Sequence, residues 1–181
     1  MGDSYQIKDQ SATYFLTFQV VGWADIFTRK IYKDIIIESL KYCKTNKGLE
    51  IFAYVIMSNH VHVIFRSKDG KLSNIIRDFK KYTSNRILSE IINNRKESRK
   101  EWLLMVFSFH GRYNKRIQRY QFWTHESHAV ELSTNSMVDS RIQYIHDNPV
   151  RADWVQCPED YLYSSASDIV GTEKLIELDE I

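Results

Sequence analysis

Apolar and polar positions change period several times along the chain, and each change marks an element. Ala12-Thr-Tyr-Phe-Leu-Thr-Phe-Gln-Val-Val21 is dense in β-branched and aromatic residues, which predicts a strand. Residues 28–46 carry Ile31, Ile35, Leu40 and Tyr42 among charges and stop near Gly48, which predicts a helix. Residues 50–57 read as a second strand, Ser58-Asn59 as a tight turn, and residues 60–66 as a third strand in a hairpin with the second. Leu72, Ile75, Ile76, Phe79, Thr83, Ile87 and Ile91 then recur at helical spacing, with Arg77, Lys81 and Ser84 opposite. That helix buries one face and offers a basic one.

The later segments are less regular. Ser98-Arg-Lys-Glu101 has the form of a capping box, and the run Trp102 to Phe107 behind it fits either a helix or a strand. Residues 122–132 predict a strand or extended arm, and residues 135–148 a helix ended by Pro149. The order β-α-β-β-α with further elements predicts an α+β sandwich of the ferredoxin-like kind, an antiparallel sheet covered by helices. With no repeat, low-complexity tract or Pro/Gly-rich linker, the chain reads as one domain over residues 1–167 and an acidic tail over 168–181.

Composition narrows the class. The chain has 181 residues, 43% of them hydrophobic, enough for a sizeable core. No apolar stretch approaches the roughly 20 residues that span a bilayer, and the N-terminus lacks the order of a signal peptide, so the expectation is a cytoplasmic protein without a membrane partner. Cys43 and Cys157 stand far apart outside any metal-binding spacing, and are expected as reduced, buried thiols.

Charge is unevenly spread. Residues 66–119 hold 15 Lys and Arg against 5 Asp and Glu, whereas residues 153–181 hold 8 acidic residues and one lysine. Although a charge run is commonly a solvated face, here Phe79, Tyr82, Asn85, Tyr113, Asn114 and Tyr120 interleave with the cations. That mixture suits single-stranded nucleic acid, whose bases stack on aromatics while cations track the phosphates. Arg77, Lys80, Lys81, Arg86, Arg112, Lys115, Arg116 and Arg119 are the expected DNA-binding side chains. The acidic tail is a candidate to lie over this basic surface when DNA is absent.

Chemistry enters with Asn59-His60-Val61-His62-Val63. On a strand His60 and His62 emerge on one face, roughly 7 Å apart at the backbone. The spacing fits two imidazoles aimed at one metal ion, and equally two polar residues on a half-solvated face. Tyr144 and Asn148, four apart on the last predicted helix, share a face, while His146 points elsewhere. Singly, each has a plain reading: an amphipathic core tyrosine, and a helix-terminal asparagine before proline. If their face packs over the histidines, a divalent ion would have two imidazoles and an amide oxygen, with a phenol beside it. A metal ion polarises a phosphodiester while tyrosine attacks phosphorus and expels a 3′ hydroxyl. A free phenol titrates at about 10, so the ion or a water chain must help remove its proton.

These residues resemble the single-tyrosine HUH transposases, in particular the REP-associated tyrosine transposases and their insertion-sequence relatives. The resemblance rests on Met57-Ser-Asn-His60-Val-His62-Val-Ile, Phe79-Lys-Lys-Tyr-Thr-Ser, Phe122-Trp123, and Tyr144-Ile-His-Asp-Asn148-Pro-Val-Arg-Ala-Asp-Trp154, followed by Pro158-Glu-Asp-Tyr-Leu-Tyr-Ser-Ser-Ala166. It spans most of residues 12–167. It implies a ferredoxin-like sheet, His60 and His62 as paired metal ligands, Asn148 as the third ligand and Tyr144 as the nucleophile. The implied substrate is single-stranded DNA with a hairpin near the cut, and the cofactor a divalent ion, Mg2+ or Mn2+. Relatives occur as monomers and as homodimers, and the resemblance leaves both open. It assigns no role to His125, Glu126 or His128.

Two other enzyme classes place alternating histidines on strands. A histidine-triad hydrolase needs a third histidine where this chain has Ile64, and a duplicated His-x-Thr/Ser phosphoesterase needs hydroxyl residues that are absent after either histidine. The remaining alternative is a domesticated single-stranded nucleic-acid-binding protein that keeps the fold and no longer cuts.

Overall fold

The computed structural model describes residues 6–112, 119–170 and 174–181. The helices and strands are β1 (Tyr14–Gln19), α1 (Lys30–Lys47), β2 (Leu49–Ile56), β3 (His60–Ser67), α2 (Leu72–Asn93), α3 (Lys100–Gly111), β4 (Val130–Glu131) and α4 (Asn135–Arg151). The strands form one sheet in the order β2-β3-β1-β4, every neighbour antiparallel. β1 and β2 therefore run the same way with β3 between them, the split β-α-β of a ferredoxin-like sandwich, as the element order predicts. Among the described residues no helix is long and apolar enough to cross a membrane.

Alternation along each strand divides the apolar residues between two cores. Leu16, Phe18, Val61, Val63 and Phe65 enter the larger one, beneath Tyr32, Ile36 and Leu40 of α1 and Ile76, Phe79 and Ile87 of α2. Phe15, Val55 and Ile64 enter a smaller one, closed by Leu132 and by Val138 and Ile145 of α4. The sheet is thus covered on both faces. The face bearing His60 and His62 is the one that α4 covers.

Several expectations change. On α1 the buried residues are Tyr32, Ile35, Ile36, Ile37, Ser39, Leu40 and Cys43, all but Ile37 on one helical stripe; Ile31 and Tyr42 fall off that stripe and are exposed. Residues 102–107 are helical, but no capping box forms at Ser98: Arg99 is the N-cap without a side-chain bond, and Ser98 Oγ accepts from Arg29. α4 continues through Pro149 to Arg151. Pro149 already has a helical φ, its ring is buried, and Ala152 N–H donating to Asn148 and Trp154 N–H to Pro149 close the last turn. Cys43 is buried, whereas Cys157 is exposed; both are free.

The acidic tail is anchored on β2 and α1 through Asp179. Asp179 N–H donates to Ile51 O, Ile51 N–H donates to Asp179 Oδ2, and Lys44 pairs with the same carboxylate. Together with Ile56 N–H donating to Tyr163 O and Tyr54 N–H donating to Ser165 Oγ, this satisfies the outer edge of β2. His146 Nε2 lies 2.9 Å from the same Ser165 Oγ, so α4 is fastened to that edge.

The other edge, beyond β1, is lined by the arm leading to β4. Val21 N–H donates to Phe122 O, Thr124 N–H to Gln19 O, and Thr17 N–H to Ser127 O. The indole N–H of Trp123 donates to the buried Thr83 Oγ1 of α2. Lys80 reaches across from α2 and donates to Thr124 O, His125 O and Ser127 Oγ, three acceptors for three protons. Burial pushes Lys80 down to about 8, which leaves it charged at neutral pH.

Glu97 is a buried carboxylate that ties α1 to the α2–α3 connection. It accepts from the Tyr32 hydroxyl at 2.8 Å and pairs with Arg29 at 3.0 Å and Arg99 at 3.4 Å. Burial would raise its pKa, but the Tyr32 hydroxyl, the Arg99 N–H and the two guanidiniums outweigh this and hold it below the ordinary glutamate value of 4.5.

Replacing Lys80→Met leaves the carbonyls of Thr124 and His125 without that donor. It should cost about 1–3 kcal/mol and speed hydrogen exchange across residues 124–128; unchanged denaturation and exchange would show that the arm does not depend on Lys80. For Glu97 the lowered pKa means that stability is gained above pH 4.5 and lost as pH falls through the folded-state value. Chemical denaturation should therefore show an advantage of the parent over Glu97→Gln at pH 7 that fades in acid, and a difference independent of pH would contradict this account.

Candidate active site

The tight turn before β3 starts the strand with His60 and His62 on the α4 side, and antiparallel register sets Gln19 opposite His60 and Thr17 opposite His62. Each imidazole is oriented by a neighbour: Asn59 Oδ1 lies 2.7 Å from His60 Nδ1, and Thr17 Oγ1 2.9 Å from His62 Nδ1. An amide oxygen only accepts, so His60 carries its proton on Nδ1 and keeps the Nε2 lone pair, whereas the Thr17 hydroxyl can donate or accept and fixes the orientation of the His62 ring without choosing its tautomer. The two ring centroids are 4.6 Å apart.

Both imidazoles are neutral. Burial pushes His60 down to about 4, and burial, with the Arg141 charge and the repulsion that a protonated His60 would add, pushes His62 down to about 3. Neutral imidazoles with one oriented ring nitrogen are what a metal ion requires.

α4 supplies the rest. The Tyr144 ring lies 5.3 Å from that of His62 and 5.9 Å from that of Phe15, which itself stacks on His62 at 5.3 Å. One turn on, Asn148 Nδ2 donates to Tyr144 O, so Oδ1 is the atom that it could offer to a cation. Among the described residues no cluster of three or more His, Cys, Asp or Glu is present, so a cation here would draw on the two imidazoles, the Asn148 amide and water. That donor set fits manganese readily and magnesium with retained waters.

Positions that sequence reasoning passed over stand beside Tyr144 or line the pocket. Arg141 and Arg151 share the α4 face of Tyr144 and Asn148, and their guanidiniums lie 5.9 and 5.4 Å from the Tyr144 ring centre. The spacing 141, 144, 148, 151 is one helical stripe and was readable as such. Thr17 and Trp23 line the pocket itself, of about 730 Å³, with His60, His62, Tyr144 and Asn148. His125, Glu126 and His128 form its wall on the arm. The pairing of Thr17 with His62 had no local signal, because register belongs to two strands at once.

The expected DNA-binding residues separate into groups. Arg77 and Lys81 are exposed on α2 and line a cleft of about 470 Å³ that shares Thr124 and His125 with the pocket. Arg86, Arg112 and Arg119 are exposed, with Arg119 over the Tyr120 ring. Lys80 is engaged with the arm, and Phe79 is core rather than a stacking surface. Lys115, Arg116, Tyr113 and Asn114 lie outside the described residues.

Comparison with known proteins bears on this arrangement. A structure of a REP-associated tyrosine transposase bound to a REP hairpin matches with a TM-score of 0.66 at 17% identity, covering 99% of this chain and 93% of the other, which shows a shared fold. A candidate transposase from Deinococcus radiodurans R1 matches less well, with a TM-score of 0.45 at 16% identity over 81% of this chain and 95% of the other. No curated protein matches in sequence. The family model of IS200-like transposases matches residues 10–120, which carry the histidine pair and the basic helix; Tyr144 and Asn148 lie beyond the match. With more than half of its length so matched, the chain belongs to the IS200-like transposase family.

Proposed function

We propose that this protein cuts and rejoins single-stranded DNA through a covalent bond to Tyr144. The observation that carries the reading is the meeting of Tyr144 with His62 at 5.3 Å between ring centres, in a pocket that also holds His60 and Asn148. In the step proposed, the Tyr144 oxygen bonds to phosphorus and yields its proton to water. The bond from phosphorus to the 3′ oxygen breaks, and that oxygen leaves as a hydroxyl after taking up a proton. The 5′ end stays on the protein as a phosphotyrosine, and attack by another 3′ hydroxyl reverses the step.

His60, His62 and Asn148 would hold Mg2+ or Mn2+. Such an ion supplies positive charge at the phosphate oxygens when bound. Arg141 and Arg151 add fixed charge beside the nucleophile, and guanidinium groups match phosphate geometry. Arg77 and Lys81 continue this positive lining into the adjoining cleft, with Arg86, Arg112, Lys115, Arg116 and Arg119 as further contacts to the backbone. Lys80 is left out of that surface because its donors are already used. A DNA hairpin near the cut fits the ligand of the structural neighbour, which is bound to a REP hairpin.

The test is a cleavage assay on a pool of hairpin-bearing single strands with Mg2+ or Mn2+. A covalent adduct stable to denaturation should form with the parent protein and be absent from Tyr144→Phe. Binding to the pool without an adduct would favour the non-cleaving alternative and overturn the proposal. A second expectation concerns Thr17→Val, which removes the oxygen that orients His62 and should weaken Mn2+ affinity about 10- to 100-fold, read by electron paramagnetic resonance. Unchanged affinity would remove His62 from the metal site as drawn.

A further inference from the structure

Trp23 is the most exposed large apolar residue among those described, at 71%, and it lines the pocket that holds His60, His62 and Tyr144. Burial would stabilise so large an apolar side chain, yet this one stands in solvent. Its backbone is unfavourable as well. Trp23 has φ of 53°, in the left-handed region that side chains with a Cβ disfavour, directly after Gly22 at φ 62°. Gly22 is needed there, since a Cβ would come within 2.7 Å of Val106 Cγ1.

The strained turn is coupled to the site by one side chain. Asn59 Nδ2 donates to Trp23 O at 3.3 Å, while Asn59 Oδ1 accepts from His60 Nδ1 at 2.7 Å. Val20 N–H and Gln19 Nε2 both donate to Asn59 O. The amide that orients His60 therefore also holds the backbone from which the indole projects. Strain held in place beside a reactive site is a mark of function rather than of packing.

We infer that Trp23 is a stacking platform for a nucleobase next to the phosphate attacked by Tyr144. This rests on the proposed reading of the pocket and adds to it a subsite for the face of a base. Arg77, Lys81, Arg141 and Arg151 attract phosphates and leave base faces uncovered, whereas an exposed indole offers its π-surface to any base. Such a subsite grips the strand at the cut and does not select its sequence.

The experiment compares two probes, a thymidine oligonucleotide of about 12 nucleotides and an abasic strand of equal length, which keeps the phosphates and lacks the bases. Binding is measured in the Tyr144→Phe background, so that no cleavage intervenes. The protein with Trp23 intact should prefer the thymidine strand, and Trp23→Ala should lose roughly 5- to 100-fold in affinity for it with little change for the abasic strand. Trp23→Phe should recover part of the loss. Trp23→Gly suits the positive φ, so it should melt no lower than the parent while binding thymidine as weakly as Trp23→Ala.

Equal loss on both probes, no loss on either, or no binding by the parent overturns the inference. A change of oligomeric mass on Trp23→Gly, measured by light scattering without DNA, would assign the indole to a protein contact and overturn it too. Failure of the catalytic reading is seen separately, as absence of a Tyr144-dependent adduct.

Discussion

The site depends on the burial of the second face of the sheet by α4. Val138 and Ile145 leave water by packing on Phe15, Val55 and Ile64, and each such side chain contributes about 1.5–3 kcal/mol when fully buried. Tyr144 precedes Ile145 in the helix and has no freedom to stand elsewhere once Ile145 is seated. It arrives over His62 because His62 precedes Ile64 by two positions on the same strand face. Hydrophobic packing, two residues from the chemistry on one element and one residue on the other, aligns the pocket.

Covering that face has a consequence for the polar groups within it. Buried donors and acceptors must find partners, and Thr17 and Asn59 supply them to the two histidines. The same hydrogen bonds orient both rings, and at His60 the Asn59 oxygen leaves Nε2 as the open nitrogen. The helix is held from outside as well, through His146 to Ser165 and on to the backbone of Tyr54. Residues around Ser165 and Asp179 then close an edge of β2 that would otherwise present unpaired backbone groups.

Local patterns were legible to different depths. All seven buried positions of α2, six apolar residues and Thr83, are readable because a long helix repeats its signal over six turns' worth of residues; on α1 Ile31 and Tyr42 mislead, because a short list of apolar residues does not reveal which stripe is continuous. Pro149 marks a helix end by local rules, yet a buried ring in the final turn loses one hydrogen bond and keeps its packing. Lys80 read as one cation among many, and only the arm beside it decides that its charge faces inward.

The amino-acid sequence by itself determined which residues share a face: His60 with His62 by the two-residue period of a strand, Tyr144 with Asn148 by the turn of a helix. It also determined the split between a basic centre and an acidic end. Tertiary structure alone decided which faces meet. Period is a property of neighbouring residues, whereas the pairing of Thr17 with His62, the seat of α4, the inward turn of Lys80 and the docking of the acidic tail join residues distant in sequence, whose contacts follow from the shared burial of surfaces that no local pattern records.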